Sequence, residues 1–265
     1  MTSLGTVVAV ALVAGCATGL GALPTIYADR VSHRVYDGAV GFAAGVMVGA
    51  AVFALLVPGL EFGTPLEVVA GLFLGTGFLL VANAALPHLH LRFRGERLEG
   101  TAILEGESSE ESPPADDRRR ALLVGSAVTI HNVPEGLAVG IAFASGETGL
   151  GIAIATAIAV QNVPDGFAMA VPAARAGVSN AKTVLYTTLS GGVPEPIAAA
   201  VGFVLVATVT GLFPVAAGFA AGAMIAVVFR ELVPSSHGHG YADTATVTFV
   251  VGFALMLVVD TVLAV

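Results

Sequence analysis

The residues best suited to chemistry fall into two hexapeptides that begin thirty positions apart, and a third motif beyond them. His131-Asn132-Val133-Pro134-Glu135-Gly136 is followed by Gln161-Asn162-Val163-Pro164-Asp165-Gly166, then by Ser190-Gly191-Gly192-Val193-Pro194-Glu195-Pro196. In each hexapeptide the first and fifth side chains stand at i and i+4, which puts both on one helix face. The proline between them cannot donate a backbone hydrogen bond and disturbs the carbonyl four residues back, Ile130 or Val160. One imidazole, three carboxylates (Glu135, Asp165, Glu195) and the amide oxygens of Asn132, Gln161 and Asn162 suit a divalent cation of borderline hardness, such as Zn²⁺, Fe²⁺ or Mn²⁺.

The elements that must position these groups are membrane helices. Of 265 residues, 56% are hydrophobic and 11% charged, with a mean hydropathy of +0.89; soluble domains are about 25% charged. Apolar runs of about 20 residues, enough to cross a bilayer as a helix, predict an all-α polytopic membrane protein. Eight spans are expected, at roughly 4–26, 39–60, 66–87, 121–145, 150–172, 183–210, 213–234 and 244–264. The chain reads as one membrane domain: 1–87 holds the first three spans, 88–120 an acidic cytoplasmic loop too polar to bury, and 121–265 the last five. At 1.5 Å per residue, His131, Gln161 and Glu195 each lie roughly 15–18 Å from an end of the fourth, fifth and sixth spans. In a core about 30 Å thick they share the midplane. Buried hydrogen-bonded pairs with glycines for close packing would explain any one of these residues. Ionisable groups cost at least ~2.5–3.5 kcal/mol each inside a span, so repeated carboxylates at one depth favour a site.

All eleven basic residues fall on one side: Arg30, Arg34, Arg92, Arg94, Arg97, Arg118 to Arg120, Arg175, Lys182 and Arg230. By the positive-inside rule that side is cytoplasmic and both termini are outside. The net charge of −8 argues against nucleic acid as a partner. Cys16 is the sole cysteine, which excludes an intrachain disulfide and a thiolate cage. Val13-Ala14-Gly15-Cys16 has the look of a lipoprotein cleavage site, but no basic residue precedes it, so a transmembrane helix is expected there.

In their order and spacing the three motifs resemble the ZIP (Zrt/Irt-like) metal transporters, most closely the GufA-like prokaryotic branch. The resemblance extends to Ala17-Thr18-Gly19-Leu20-Gly21-Ala22-Leu23-Pro24, Leu86-Pro87-His88-Leu89-His90, Ala221-Gly222-Ala223-Met224-Ile225 and Glu231-Leu232-Val233-Pro234. It implies eight helices with 1–3 and 6–8 as an inverted repeat around 4 and 5. It also implies uptake of a metal (Zn²⁺, or Fe²⁺, Mn²⁺ or Cd²⁺) across the plasma membrane, as bound substrate with no cofactor. Carried over by position, one metal site would use His131, Glu135, Gln161 and Asp165, and a second Asn132, Asn162, Asp165 and Glu195. Many relatives open the fifth-helix motif with His-Glu and close it with Glu. Gln161, Asn162 and Asp165 replace these, so the second site carries fewer charges. His88, His90, His237, His239 and Glu231 at the cytoplasmic mouth are candidates for an exit path; interfacial histidines without a role, and a Glu231–Arg230 ion pair, are the competing readings. The partners expected are the metal and the bilayer, with room for a homodimer. The rival function is an intramembrane metal-dependent hydrolase, although no His-Glu-x-x-His occurs.

Cysteines introduced at Gly149 and Ser109 in a Cys16→Ala background test the topology. Gly149→Cys should react with an impermeant thiol reagent only from outside, and Ser109→Cys only from inside. Labelling of both from one face would defeat the eight-span arrangement.

Overall fold

The computed structural model describes residues 2–27, 31–90, 114–209 and 211–263, with the side chains of 85–90, 114–128, 175 and 263 outside that description. Every described element is helical, and no strand occurs among the described residues. The helical stretches are α1 (Leu4–Tyr27), α2 (His33–Phe62), α3 (Pro65–His90), α4 (Pro114–Ala144), α5 (Thr148–Arg175), α6 (Asn180–Thr208), α7 (Phe213–His237) and α8 (Ala242–Leu263). Among the described residues, seven helices are long and apolar enough to cross a membrane: all but α4, whose first half lies outside the side-chain description. The chain is therefore an all-α polytopic membrane protein.

Helix ends follow local chemistry. Ser3 and Ser32 cap α1 and α2 by accepting from the Thr6 and Val35 amides. Thr64 and Glu67 form a reciprocal capping box at the start of α3, with Thr64 N donating to Glu67 Oε2 at 2.7 Å. Two boundaries move outward from the sequence reading. The Ser32 cap starts α2 at His33, ahead of residue 39, and this carries Asp37 into the packed interior. The expected loop over 88–120 is trimmed at both ends, because α3 runs to His90 and α4 begins at Pro114. Proline is tolerated at a first helical position. The rest of that loop, with Arg92, Arg94 and Arg97, lies outside the described residues.

Four helices are interrupted. A 3₁₀ segment occupies Ala17–Ala22 in α1, and π segments occupy Ala50–Leu56 in α2 and Val228–Leu232 in α7. Helix α6 breaks at Val193, because Pro194 and Pro196 remove two of three consecutive donors from the ladder. Pro134 and Pro164, by contrast, sit inside unbroken helices.

The helices form two groups. In one, α2 packs along α8 and α3 along α7. In the other, α4 packs along α6, while α1 packs along α5 and α6. The groups meet chiefly where α2 touches α5 and α4 touches α7. Close approach in the first group depends on absent side chains. A Cβ on Gly45 would run into the Phe249 carbonyl, and one on Gly222 into the Leu72 carbonyl. Gly45→Ala and Gly222→Ala should each cost about 1–3 kcal/mol, as overpacked cores do. A fall in melting temperature in detergent checks this. Unchanged melting in both would mean the two pairs are looser than described.

Candidate metal site

The seven midplane candidates converge from three helices. His131, Asn132 and Glu135 come from α4, Gln161, Asn162 and Asp165 from α5, and Glu195 from the first turn of the second half of α6; all are buried. The glycines that close the hexapeptides bring these helices together. Gly136 lies against the backbone of Glu195, and Gly166 against the Thr18 carbonyl of α1, with no room for a Cβ at either.

The amides are oriented by what they face. Gln161 Nε2 donates to Glu135 Oε1 at 2.7 Å, and Asn132 Nδ2 donates to the Ser190 carbonyl at 2.7 Å. Asn162 Nδ2 donates to both Glu195 Oε1 and the Ala14 carbonyl at 2.8 Å. A carboxylate or carbonyl can only accept, so each amide must present its nitrogen there and its oxygen elsewhere. The consequence is a set of buried acceptors without donors: Asn132 Oδ1, Glu135 Oε2, Gln161 Oε1, Asn162 Oδ1 and Glu195 Oε2. Leaving a buried polar atom unsatisfied costs about 1–3 kcal/mol.

Among the described residues, no three His, Cys, Asp or Glu side chains converge as a ready metal cage. His131 places its Nε2 2.5 Å from Glu231 Oε2 of α7. Asn83 on α3 holds the other Glu231 oxygen, donating at 2.8 Å. Glu231 therefore pairs with His131, where a boundary ion pair with Arg230 was the sequence alternative. It falls within the π segment of α7.

The remaining exit-path candidates have other partners. His239 Nδ1 lies 2.7 Å from Oδ1 of the fully buried Asp37 and stacks on His33, with ring centroids 4.3 Å apart. His237 is exposed, with its Nδ1 3.0 Å from the Val233 carbonyl. The side chains of His88 and His90 lie outside the described residues. Sequence reasoning missed Asn83 and Asp37. A lone asparagine in an apolar span was the available signal for the first; the second fell outside the expected span.

Comparison with known proteins now decides the family. The family model described as ZIP Zinc transporter matches residues 86–260. The zinc transporter GufA of Myxococcus xanthus is 36% identical over 97% of this chain and 98% of its own length. The zinc transporter ZIPB of Bordetella bronchiseptica is 35% identical over 93% of this chain and 78% of its own. The zinc transporter ZupT of Chlorobium chlorochromatii is 32% identical over 94% of each. The chain belongs to the ZIP family. ZIP proteins are transporters and not enzymes, which sets aside the intramembrane hydrolase, and the metal is cargo rather than a resident cofactor. The matched region contains all seven midplane residues of this ZIP chain and Glu231; Asn83 and Asp37 precede it.

A double-mutant cycle tests the His131–Glu231 contact. Reversible unfolding of His131→Ala, Glu231→Ala and the double variant, without added metal, should give a coupling of about 0.5–3 kcal/mol. Additivity within error would show that the pair is not made.

Proposed function

We propose that this ZIP chain carries a divalent transition-metal cation, zinc foremost and iron or manganese as alternatives, across the cell membrane towards the cytoplasm. The route passes through the buried oxygen cluster on α4, α5 and α6. One observation carries the reading: five buried acceptor atoms from three helices are left without donors. A cation is the partner that an excess of acceptors calls for. Imidazole beside carboxylate and amide oxygens suits zinc, iron or manganese more than a hard ion that takes oxygen alone. For His131 to join the metal through Nε2, its contact with Glu231 must part. Metal arrival and the link between the two helix groups are then coupled. Movement of α1, α4, α5 and α6 against α2, α3, α7 and α8 gives alternating access about a fixed midplane site. Glu231, once released, is placed to receive the ion on its way to the cytoplasmic mouth.

The reading includes eight spans with both termini outside, and α1–α3 as an inverted counterpart of α6–α8. Supporting the repeat, Phe53-Ala54-Leu55-Leu56-Val57-Pro58 on α2 and Phe229-Arg230-Glu231-Leu232-Val233-Pro234 on α7 share a pattern, and each overlaps a π segment.

Charge limits how many ions bind. Two divalent cations bring four positive charges to a weakly screened midplane, against at most three carboxylates, Glu135, Asp165 and Glu195. One ion held by His131, Glu135, Gln161 and Asp165 leaves no uncompensated positive charge. Equilibrium titration should therefore show one tight metal per chain, and Asn162→Asp should create or strengthen a second. His131→Ala and Glu135→Ala should weaken uptake into proteoliposomes strongly while the protein still inserts. Unchanged uptake in both would return the motifs to helix packing. Two equally tight metals in the wild type, or no gain in Asn162→Asp, would show that charge does not limit the second position.

A further inference from the structure

A groove of about 1470 Å³ opens between α4, α5 and α6 on a face the oxygen cluster does not use. From α4 it takes Ile130, Val133 and Leu137, residues that alternate with His131, Asn132 and Glu135 around the helix. Met169 of α5 and Leu189 of α6 continue an apolar wall. Polar groups gather at one end, where Ser179, Lys182 and Thr183 line the mouth. Lys182 is the only lysine in the chain, is exposed, and makes no ion pair with a described residue. At the same mouth α6 begins on Ser179, whose side chain makes no capping bond, so the first-turn amides lack a side-chain cap.

From its mouth at Lys182 to the break at Val193 the groove matches one leaflet, and its wall continues past the break to Val201. From Lys182 to Val193 is eleven residues, or about 16 Å of helix, close to half of a hydrocarbon core of about 30 Å. Val193 is where α6 breaks, so a chain entering beside Lys182 would end at the level of that break. An apolar lining has nothing to offer a metal ion. An acyl chain gains little by moving from bilayer to groove, since both are apolar. Selectivity must therefore come from the headgroup, and the charge at the mouth is positive.

We propose that this groove is a binding site for one phospholipid with an anionic headgroup. The phosphate sits on the Lys182 ammonium and the uncapped amides of α6, and one acyl chain lies against Val133, Met169 and Leu189. The bound tail packs directly behind the metal cluster. Ser190, which lines the groove, gives its carbonyl to Asn132, and Pro194, also in the lining, precedes Glu195. The lipid thereby braces the broken helix that carries one of the three carboxylates.

The test uses the full chain purified in detergent, with phospholipid retention read by native mass spectrometry after exposure to phosphatidylglycerol or phosphatidylcholine. The wild type should retain phosphatidylglycerol with about a tenfold preference. Lys182→Gln should lose the preference, and Leu189→Trp, which fills the groove, should lose the retained lipid. Ile197→Trp, at another exposed position on the wall, serves if Leu189→Trp does not fold. Glycerol phosphate, a headgroup without a tail, should not displace the lipid. Equal retention of the two lipids by the wild type, or an unchanged preference in Lys182→Gln, overturns the proposal. So does full retention in the tryptophan variant, and displacement by glycerol phosphate would reduce the site to one for a free anion.

Discussion

Buried acceptors that lack donors constrain everything around them. Lipid tails carry no donor and the hydrocarbon core holds no bulk water, so each such oxygen raises the energy of the fold unless a donor or a cation shares the space. Every local feature of α4, α5 and α6 serves to hold five of them there. The amide nitrogens of Asn132, Gln161 and Asn162 are turned onto fixed carbonyls and carboxylates, which aims their oxygens the other way. Gly136 and Gly166 let backbones approach where side chains would separate them. The break at Val193 makes Glu195 a first-turn residue of a new helix, where the dipole stabilises a carboxylate.

The same constraint explains the two-group architecture. Helices that hold an acceptor cluster must be rigid with respect to one another, and the α4–α6 and α1–α5 pairs are locked by backbone contacts. The α2–α8 and α3–α7 pairs are locked as tightly by their own glycines. Between the groups the polar link near the cluster is His131 to Glu231, steadied by Asn83. In the proposed alternating access a single ionisable contact is a suitable hinge point, because an arriving cation can replace the Glu231 side of it directly.

Much of this was legible in the sequence. Length, composition and apolar runs pointed to helices crossing a membrane, and the i, i+4 spacing put the paired polar residues of each hexapeptide on one helix face. Other features depended on geometry that spacing alone does not carry. The π segment at Val228–Leu232 alters the helical register, and Glu231 pairs with His131 although its neighbour Arg230 suggested a boundary ion pair. Asp37 looked like a loop residue until the Ser32 cap began α2 earlier. Asn83 is one polar residue in an apolar helix, and only its partner on α7 distinguishes it from a packing asparagine. The directions of the Asn132 and Asn162 amides likewise follow from partners more than fifty residues away, the carbonyls of Ser190 and Ala14.

The amides at Gln161 and Asn162, where many relatives carry His and Glu, have a cost and a use. A carboxylate at either place would stand beside Glu135 or Glu195, and like charges in a low-dielectric site repel strongly. An amide instead donates to that neighbour, so Glu135 and Glu195 each keep one satisfied oxygen whether or not an ion is present. The free amide oxygen still offers a lone pair to a cation, but without a full charge. A transit site needs this balance, because binding must be favourable enough for entry and weak enough for departure. The substitutions that depart from the common family pattern therefore tune the proposed site towards release, with the cluster held in shape by hydrogen bonds internal to it.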